Sequence, residues 1–382
     1  MRLLEQKSSL IYEFFQNVTQ MQQNGSMKLT PGELYFIGER DHLTGEQTPF
    51  FKIGIVRADE KRTSADRLQE HQTGNPRPLF IHEVVATEVV ERVETLMHRL
   101  FAKQRGSGEW FKFDSDQLQE AITTAKNLSI DAADNAEIFK KAKELAKELS
   151  TDVVLPATEN LIELRRQHLV AEMTVKEFTA VDKELRDVIR DAIAQGESVG
   201  GIAQLRKTSM KEEFNESRFK SENEALYQKY SDVVSKLVPR LDYKKPKDLT
   251  EFESLLQDKV YPVVAEVKNA IAQAIAQQIP KSDLNGWHLI ILESIAMAEW
   301  TKEITDAQIR VAVGTNAGIE GICSWSRKMV AKPKFNPDRF RDENFELYKS
   351  YLELKKTGGG LEMAPGQAQG DAVNTDVEPD GE

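Results

Sequence analysis

Five polar residues of types that act in hydrolysis lie between positions 35 and 98 of this 382-residue sequence. Arg67 and His71 are four positions apart, and so are Glu94 and His98, so that each pair would project from one face of a helix. Tyr35 lies in a short apolar run. A tyrosine hydroxyl, an arginine, an imidazole and a single carboxylate are the groups that phosphodiester hydrolysis uses. We therefore examine the elements that would bring these side chains together.

The surrounding segments predict a small mixed α/β unit. Residues 34–38 and 50–56 are rich in β-branched and aromatic residues and flank turn signals, which is typical of a hairpin. Ser64 is a candidate N-cap for a helix that ends at a Gly-Asn-Pro turn. Residues 79–85 predict a third strand, and apolar residues at helical spacing predict a helix from about 87 to 103. The predicted order is strand, strand, helix, strand, helix.

With these motifs in this order, residues 32–113 resemble a GIY-YIG nuclease domain, in the branch shared by a phage DNA-binding open reading frame family and a meiotically up-regulated yeast protein. ELYFI stands for the first motif, FKIG for the second and VETLMHRLF for the helix motif, and GEWF follows as in that branch. The resemblance implies hydrolysis of phosphodiester bonds in DNA with Mg²⁺ or Mn²⁺ as cofactor.

The resemblance also implies site residues. Tyr35 corresponds to the catalytic tyrosine of the first motif, and the match to RxxxH makes Arg67 the phosphate-stabilising arginine and His71 an auxiliary base. Glu94 corresponds to the metal ligand. Lys52 stands where the family has its second tyrosine, which is a departure from the pattern. Either Lys52 lowers the pKa of Tyr35 and makes it the base, which we prefer, or the site is catalytically silent.

Each of these residues has an ordinary structural interpretation as well. A strand tyrosine usually packs, and a helical glutamate usually lies on the surface. We interpret His98 as a second, supporting residue at most and Glu109 of GEWF as structural. The nuclease prediction depends on the motifs occurring jointly and in order.

After position 113 the sequence is strongly helical and contains an internal repeat. FNESRFKSENEALYQKY (214–230) and FNPDRFRDENFELYKSY (335–351) align without gaps. The predicted fold class is α+β, a small GIY-YIG-like domain followed by a duplicated, mostly helical module. The predicted segments are an amphipathic helix in 1–30, the nuclease domain at 31–113, helical repeats at 114–234 and 235–356, and a disordered acidic tail at 357–382.

Each repeat carries a basic segment ahead of its repeated motif. The cations are Arg206, Lys207, Lys211, Arg327, Lys328, Lys332 and Lys334. Held on a strand or hairpin, they would follow a phosphate backbone, and Trp325 would stack on a base. The alternative is that the cations balance nearby acidic helices and that Trp325 is in the core. The second segment also resembles, more weakly, the C-terminal segment of recombination exonucleases of the lambda-exonuclease class, which implies an accessory module near DNA and no activity.

Composition restricts the class of protein. The single Cys323 excludes an intramolecular disulfide framework and suits a reducing cytoplasm, and no apolar run approaches a membrane span. Six acidic residues and no Lys or Arg lie in the tail, so more than half of the net charge of −11 is there. The candidate nuclease domain is nearly neutral, so DNA binding would depend on the basic segments.

The leading prediction is a cytoplasmic, metal-dependent endonuclease that acts on double-stranded DNA in phage DNA processing or anti-phage defence. One alternative is a DNA-binding protein without catalysis. The other is a scaffold whose helical repeats bind protein. The N-terminal helix or the repeats would then mediate contact with a partner or a second copy.

Overall fold

A computed structural model describes residues 29–106, 108–245 and 250–363. It contains an N-terminal antiparallel sheet followed by a mainly helical region, which confirms the α+β fold class. The predicted N-terminal helix and most of the predicted tail lie outside the described residues. No helix in the described ranges is long and apolar enough to cross a membrane.

The N-terminal sheet has the strand order β3-β1-β2-β4 and a helix on each face. Its elements are β1 (Gly32–Arg40), β2 (Gln47–Arg57), α1 (Ser64–Gln72), β3 (Leu79–Thr87), α2 (Val90–Leu100) and β4 (Trp110–Lys112). The predicted order of elements is confirmed, and GEWF adds the fourth strand. The N-cap of α1 is Thr63, one residue before the predicted Ser64, and forms a reciprocal capping box with Asp66.

Alternation along the strands decides which helix each side chain meets. Tyr35 packs on the α1 side with Leu68 of that helix, whereas Phe36 and Ile53 pack on the α2 side with Val93. Each face of the sheet thus has its own apolar core. The polar residues of β1 and β2 that point away from α2 are brought to α1.

Five helices form the body behind the sheet. They are α3 (Ser115–Leu145), α4 (Glu159–Ala194), α7 (Thr250–Gln257), α8 (Tyr261–Ile275) and α9 (Leu284–Val313), the last preceded by a 3₁₀ turn (Lys281–Asp283). Helix α9 joins the body to the N-terminal domain, because Trp300 lies in the same core as α2 and β2. Arg92 and Arg99 of α2 pair with Glu303 and Glu299 of α9 at 2.9 and 2.7 Å. The domain is therefore fixed to the body by packing and by ion pairs.

The two copies of the repeated motif pack against each other. The first copy forms α5 (Glu216–Glu222) and α6 (Glu224–Lys229), and the second forms α10 (Pro337–Glu343) and α11 (Phe345–Ser350). The hydroxyl of Tyr230 donates to Glu343 and accepts from Asn344, at 2.7 and 2.8 Å. Tyr351 makes the equivalent bonds to the first copy. We call these four helices the tip module; its bonds are approximately twofold symmetric.

The strands next to the tip module cross between the two copies. β8 (Ser231–Tyr243) leaves the first copy and pairs along its full length with β10 (Cys323–Phe335), which enters the second. β11 (Leu352–Gly358) leaves the second copy and pairs with β7 (Thr208–Phe214), which enters the first. We call β8–β10 the first ribbon and β7–β11 the second ribbon. The boundary predicted between the repeats, at 234/235, falls inside β8.

Short strands anchor both ribbons in the body. β5 (Val154–Leu155) and β9 (Gly318–Ile319) extend the sheet at the base of the first ribbon, and β6 (Ala203–Leu205) pairs with β12 (Leu361–Met363) at the base of the second. The prediction that disorder begins at position 357 is wrong through Met363. The glycines at 358 and 359 form a bend with positive φ between β11 and β12, and Leu361 is buried in the helical core.

Candidate active site

Tyr35 lies in the middle of the sheet, with its ring across the neighbouring strand. It is fully buried on β1 and pairs with Gly54 of β2. A Cβ atom on Gly54 would lie 2.5 Å from the Tyr35 hydroxyl oxygen, which is closer than any normal contact. The second motif, FKIG, therefore needs its glycine because the tyrosine of the first motif occupies that space.

Replacing Gly54 with alanine tests this packing. We expect the methyl group to displace the Tyr35 ring, to lower cleavage at least about tenfold and to destabilise the fold by about 1–3 kcal/mol. Gly286→Ala in α9 is the matched control, because nothing lies within 4 Å of a Cβ atom there. Cleavage assays and urea unfolding of both variants check the prediction, and equal behaviour of the two would contradict it.

His71 and Arg67 of α1 both reach the phenol of Tyr35. The hydroxyl oxygen lies 3.2 Å from His71 Nε2. Burial raises the pKa of Tyr35, and the nearby Arg67 guanidinium opposes that rise. Burial lowers the pKa of His71, and the charges of Lys52 and Arg67 lower it further. His71 is therefore neutral at pH 7 and able to accept a proton from Tyr35.

Arg67 retains a donor for a ligand. One of its terminal nitrogens donates to Glu70 at 2.6 Å. Its Nε is buried and has no hydrogen-bond partner among the described residues. An oxygen of a phosphate group would satisfy this N–H.

Lys52 pairs with Glu109 and not with Tyr35. Its buried ammonium forms an ion pair with the Glu109 carboxylate, which is brought near because Lys52 is opposite Trp110 in the β2–β4 register. The expectation that Lys52 lowers the pKa of Tyr35 is wrong, because that pKa is raised and the opposing cation is Arg67. Glu109 is the site residue that sequence reasoning missed, because only the β2–β4 register brings it to Lys52.

Glu94 of α2 supplies the second carboxylate. Burial, followed by the charge of Glu109, raises the pKa of Glu94 to about 7, and Lys52 and Arg57 oppose the rise. In the described parts of the chain no three His, Cys, Asp or Glu side chains form a metal cluster. Mg²⁺ normally takes one or two carboxylates and completes its shell with water and phosphate oxygens. Glu94, with Glu109 close by, fits such a hydrated ion.

His98, four residues after Glu94 on α2, has a structural role. Its Nε2 is 3.2 Å from the Ile53 carbonyl oxygen, so it bonds to β2 and not to Glu94. His98, Arg99 and Arg105 line a cleft of about 480 Å³ between α2, α9 and β12. The cleft lies between α2 and the base of the second ribbon, where Glu362 and Met363 line it.

The predicted nucleic-acid-binding residues lie on the ribbons, except Arg206 and Lys207, which lie between β6 and β7. Lys207, Lys211, Lys328, Lys332 and Lys334 are exposed. Arg206 is also exposed and pairs with Glu362 at 3.0 Å.

Two of the residues predicted to contact nucleic acid are core residues. Arg327 is fully buried, with its guanidinium 4.0 Å from the centre of the Trp325 ring, and Trp325 is fully buried as well. The predictions that Arg327 contacts a phosphate and that Trp325 stacks on a base are therefore wrong. Alternation along β10 turns both side chains into the core.

Comparison with known proteins concerns the N-terminal domain. No curated protein and no solved structure matches the chain. Residues 33–126 match the family model of the T5orf172 domain, which is found in GIY-YIG-related and phage Orf172 proteins. The matched segment runs from β1 into α3 and contains every residue of the candidate active site, so the site lies in the part of the chain that is similar to a nuclease-like, DNA-related family.

Proposed function

We propose that the protein is a divalent-metal-dependent endonuclease that hydrolyses phosphodiester bonds in DNA. The observation that carries the proposal is the contact between the Tyr35 hydroxyl and a neutral His71, beside an Arg67 Nε that has no partner among the described residues. Glu94, its neighbour Glu109 and the T5orf172 match support it.

In this mechanism Tyr35 takes a proton from the attacking water while its own proton passes to His71 Nε2. Proton transfer through His71 is needed because burial disfavours a free Tyr35 phenolate. Arg67 binds a non-bridging phosphate oxygen and stabilises the charge that develops on it. Glu94 would hold Mg²⁺ or Mn²⁺, which when bound stabilises the leaving oxygen.

Lys52 supports this chemistry in a way that the sequence did not indicate. Its charge lowers the pKa of His71 and opposes the rise in the pKa of Glu94. It therefore favours the neutral base and the ionised metal ligand together. Because of these two effects, a lysine at the position of the second tyrosine is compatible with catalysis.

The direct test compares wild type with Tyr35→Phe on supercoiled plasmid in Mg²⁺ and in Mn²⁺. Loss of the proton-transferring hydroxyl should lower the cleavage rate by about 10²–10⁴-fold. Tyr261→Phe is the matched control, because Tyr261 lies on α8, away from the site. If wild type leaves the plasmid intact in both metals, or if Tyr35→Phe cleaves as fast as wild type, the proposal fails and the silent DNA-binding alternative is favoured.

A second test uses the pH dependence of cleavage. Lys52→Met removes the charge that lowers the pKa values of Glu94 and His71, so both should rise and the acid limb of the rate profile should move to higher pH. Lys52→Arg keeps the charge and should leave the limb near its wild-type position. The measurement is the initial cleavage rate across the pH range, and an unchanged limb in Lys52→Met would refute this role of Lys52.

A further inference from the structure

The first ribbon is an arm that is held at both ends and exposed between them. At its base Trp325 is buried in the core formed with α9, and at its far end Phe335 is buried in the tip module. Between these anchors both faces meet solvent: Val234 is 42% exposed on one face and Met329 56% on the other. An arm that is already ordered loses little conformational freedom when it binds a partner.

One face of this arm carries four lysines. In the antiparallel register Lys328 is opposite Val238, Val330 is opposite Lys236, and Lys332 and Lys334 follow at alternate positions. Directly opposite residues share a face, and every second residue along a strand returns to it. We call Lys236, Lys328, Lys332 and Lys334 the lysine strip.

The lysine strip shares its face with one acid beside it, because Asp232 is directly opposite Lys334. All four side chains are exposed, and within the described residues none of them is in an ion pair. Arg240 shares this face but pairs with Asp242 at 2.9 Å. The strip therefore presents unpaired positive charge on a chain whose net charge is −11.

The second ribbon has a different charge pattern although the repeat relates the two. Lys355 pairs with Glu213 at 3.1 Å, and Arg206 pairs with Glu362 at 3.0 Å. Glu353 accepts a hydrogen bond from Asn215 at 2.7 Å. The second ribbon thus carries acids on both faces among its lysines, so four lysines on one face are a property of the first ribbon.

We propose that the lysine strip binds the phosphate backbone of double-stranded DNA, with the first ribbon lying along a groove of the duplex. The major groove of B-DNA admits a two-stranded β-ribbon. From Lys328 to Lys334 the strip extends about 20 Å, at about 3.3 Å per residue, which is comparable to six base pairs. Compared with the DNA-binding residues predicted from the sequence, this set adds Lys236 and omits Arg327. The inference relies on the proposed function only for the choice of DNA as ligand.

Helix α9 connects this arm to the candidate active site. Glu303 of α9 pairs with α2 of the N-terminal domain. Arg310 of the same helix lies 5.3 Å from the centre of the Trp325 ring at the base of the arm. Glu303 and Arg310 are seven positions apart, which corresponds to about 10 Å along the helix axis. DNA held on the arm is therefore held by an element fixed to the domain that would cut it.

The test measures binding of a fluorescent duplex of about 30 base pairs to the full chain in EDTA, where metal-dependent cleavage is blocked. The variant replaces Lys236, Lys328, Lys332 and Lys334 with glutamine. We expect at least about thirtyfold weaker binding at ~100 mM salt, and a plot of log affinity against log salt that is less steep by about 3–4, near 0.9 per lost phosphate contact. The matched control makes the same charge change on or next to the second ribbon, at Lys207, Lys211, Lys355 and Lys356, and should stay within about threefold of wild type.

Each outcome supports or contradicts the assignment of the lysine strip as a site for duplex DNA. Wild-type affinity in the strip variant, or an equal loss in the control, would overturn it. Single-stranded DNA of the same length bound as tightly as the duplex, with the same loss in the strip variant, would overturn the assignment to duplex. Binding that depends on the strip while wild type fails to cut plasmid would leave this inference standing and reject the proposed enzyme.

Discussion

Replacing Glu94 with glutamine is expected to abolish the proposed cleavage, by about a thousandfold or more, and at the same time to make the folded protein more stable at alkaline pH. Loss of activity follows because the amide is a poor ligand for Mg²⁺ or Mn²⁺ and transition-state charge then lacks its cation. The gain in stability follows from the cost of keeping an ionised carboxylate in this partly buried place beside Glu109.

Whether the effect stabilises or destabilises depends on which state, folded or unfolded, holds the Glu94 proton more tightly. The pKa of Glu94 is about 7 in the folded protein, against an ordinary value of 4.5, so the folded state holds this proton more tightly than the unfolded state does. Stability is therefore lost as the pH rises from about 4.5 through 7. The full shift corresponds to about 3.4 kcal/mol at about 1.36 kcal/mol per pKa unit; solvent screening of a partly exposed group lowers our expectation to about 2 kcal/mol.

Urea unfolding at about pH 4 and about pH 8 measures this effect. Glu94→Gln and wild type should agree at the lower pH and differ at the higher one, where MgCl₂ should stabilise wild type and leave the variant unchanged. Glu88→Gln is the matched control, because Glu88 is exposed just before α2. A variant that cleaves normally, or that shows no advantage at high pH, would contradict the role given to Glu94.

Local patterns predicted the elements of the N-terminal domain because its strands and helices follow one another along the chain with clear turn and cap signals. The Lys52–Glu109 pair was not predictable in the same way, since it joins residues 57 positions apart through the short strand β4. The sequence alone therefore indicates a structural role for Glu109, whereas the β2–β4 register places it against Lys52.

The ribbons show a different limit of sequence reasoning. Arg327 and Lys328 are adjacent and were treated as one basic cluster, yet alternation along β10 puts the first in the core and the second in solvent. Lys236 was missed because its strand pairs with a partner from the other copy of the repeat. The sequence repeat shows that basic residues recur in both copies. Only the β8–β10 pairing shows which of them share a face of the ribbon.

Arg327→Ala is expected to destabilise the protein by about 3 kcal/mol, whereas Lys328→Ala, one residue away, should change stability by less than about 0.5 kcal/mol. The Arg327 guanidinium donates to the Leu145 carbonyl oxygen at 2.9 Å and to the Asn316 carbonyl oxygen at 3.0 Å. Leu145 is the last residue of α3, so the cation also meets the negative end of that helix. Truncation removes the guanidinium donor from the Asn316 carbonyl, leaves the Leu145 carbonyl with only the Glu148 N–H as donor, and opens a cavity beside Trp325.

The burial of Arg327 refines this prediction. Desolvation lowers the pKa of Arg327, and the charge of Glu148 opposes that effect only in part. Arg327→Met fills most of the same space without a buried charge, so it should lose less stability than Arg327→Ala does. Urea unfolding of the three variants measures the differences in free energy.

DNA binding by the same variants separates a core residue from a binding residue. Lys328→Ala should flatten the salt dependence of binding by about 0.9 in the logarithmic slope, the contribution of one phosphate contact. Arg327→Met should bind like wild type at a temperature where it is fully folded, because its side chain does not reach the surface. A folded Arg327→Met that lost affinity as Lys328→Ala does would show that Arg327 reaches the DNA after all, and that β10 presents its other face when DNA is bound.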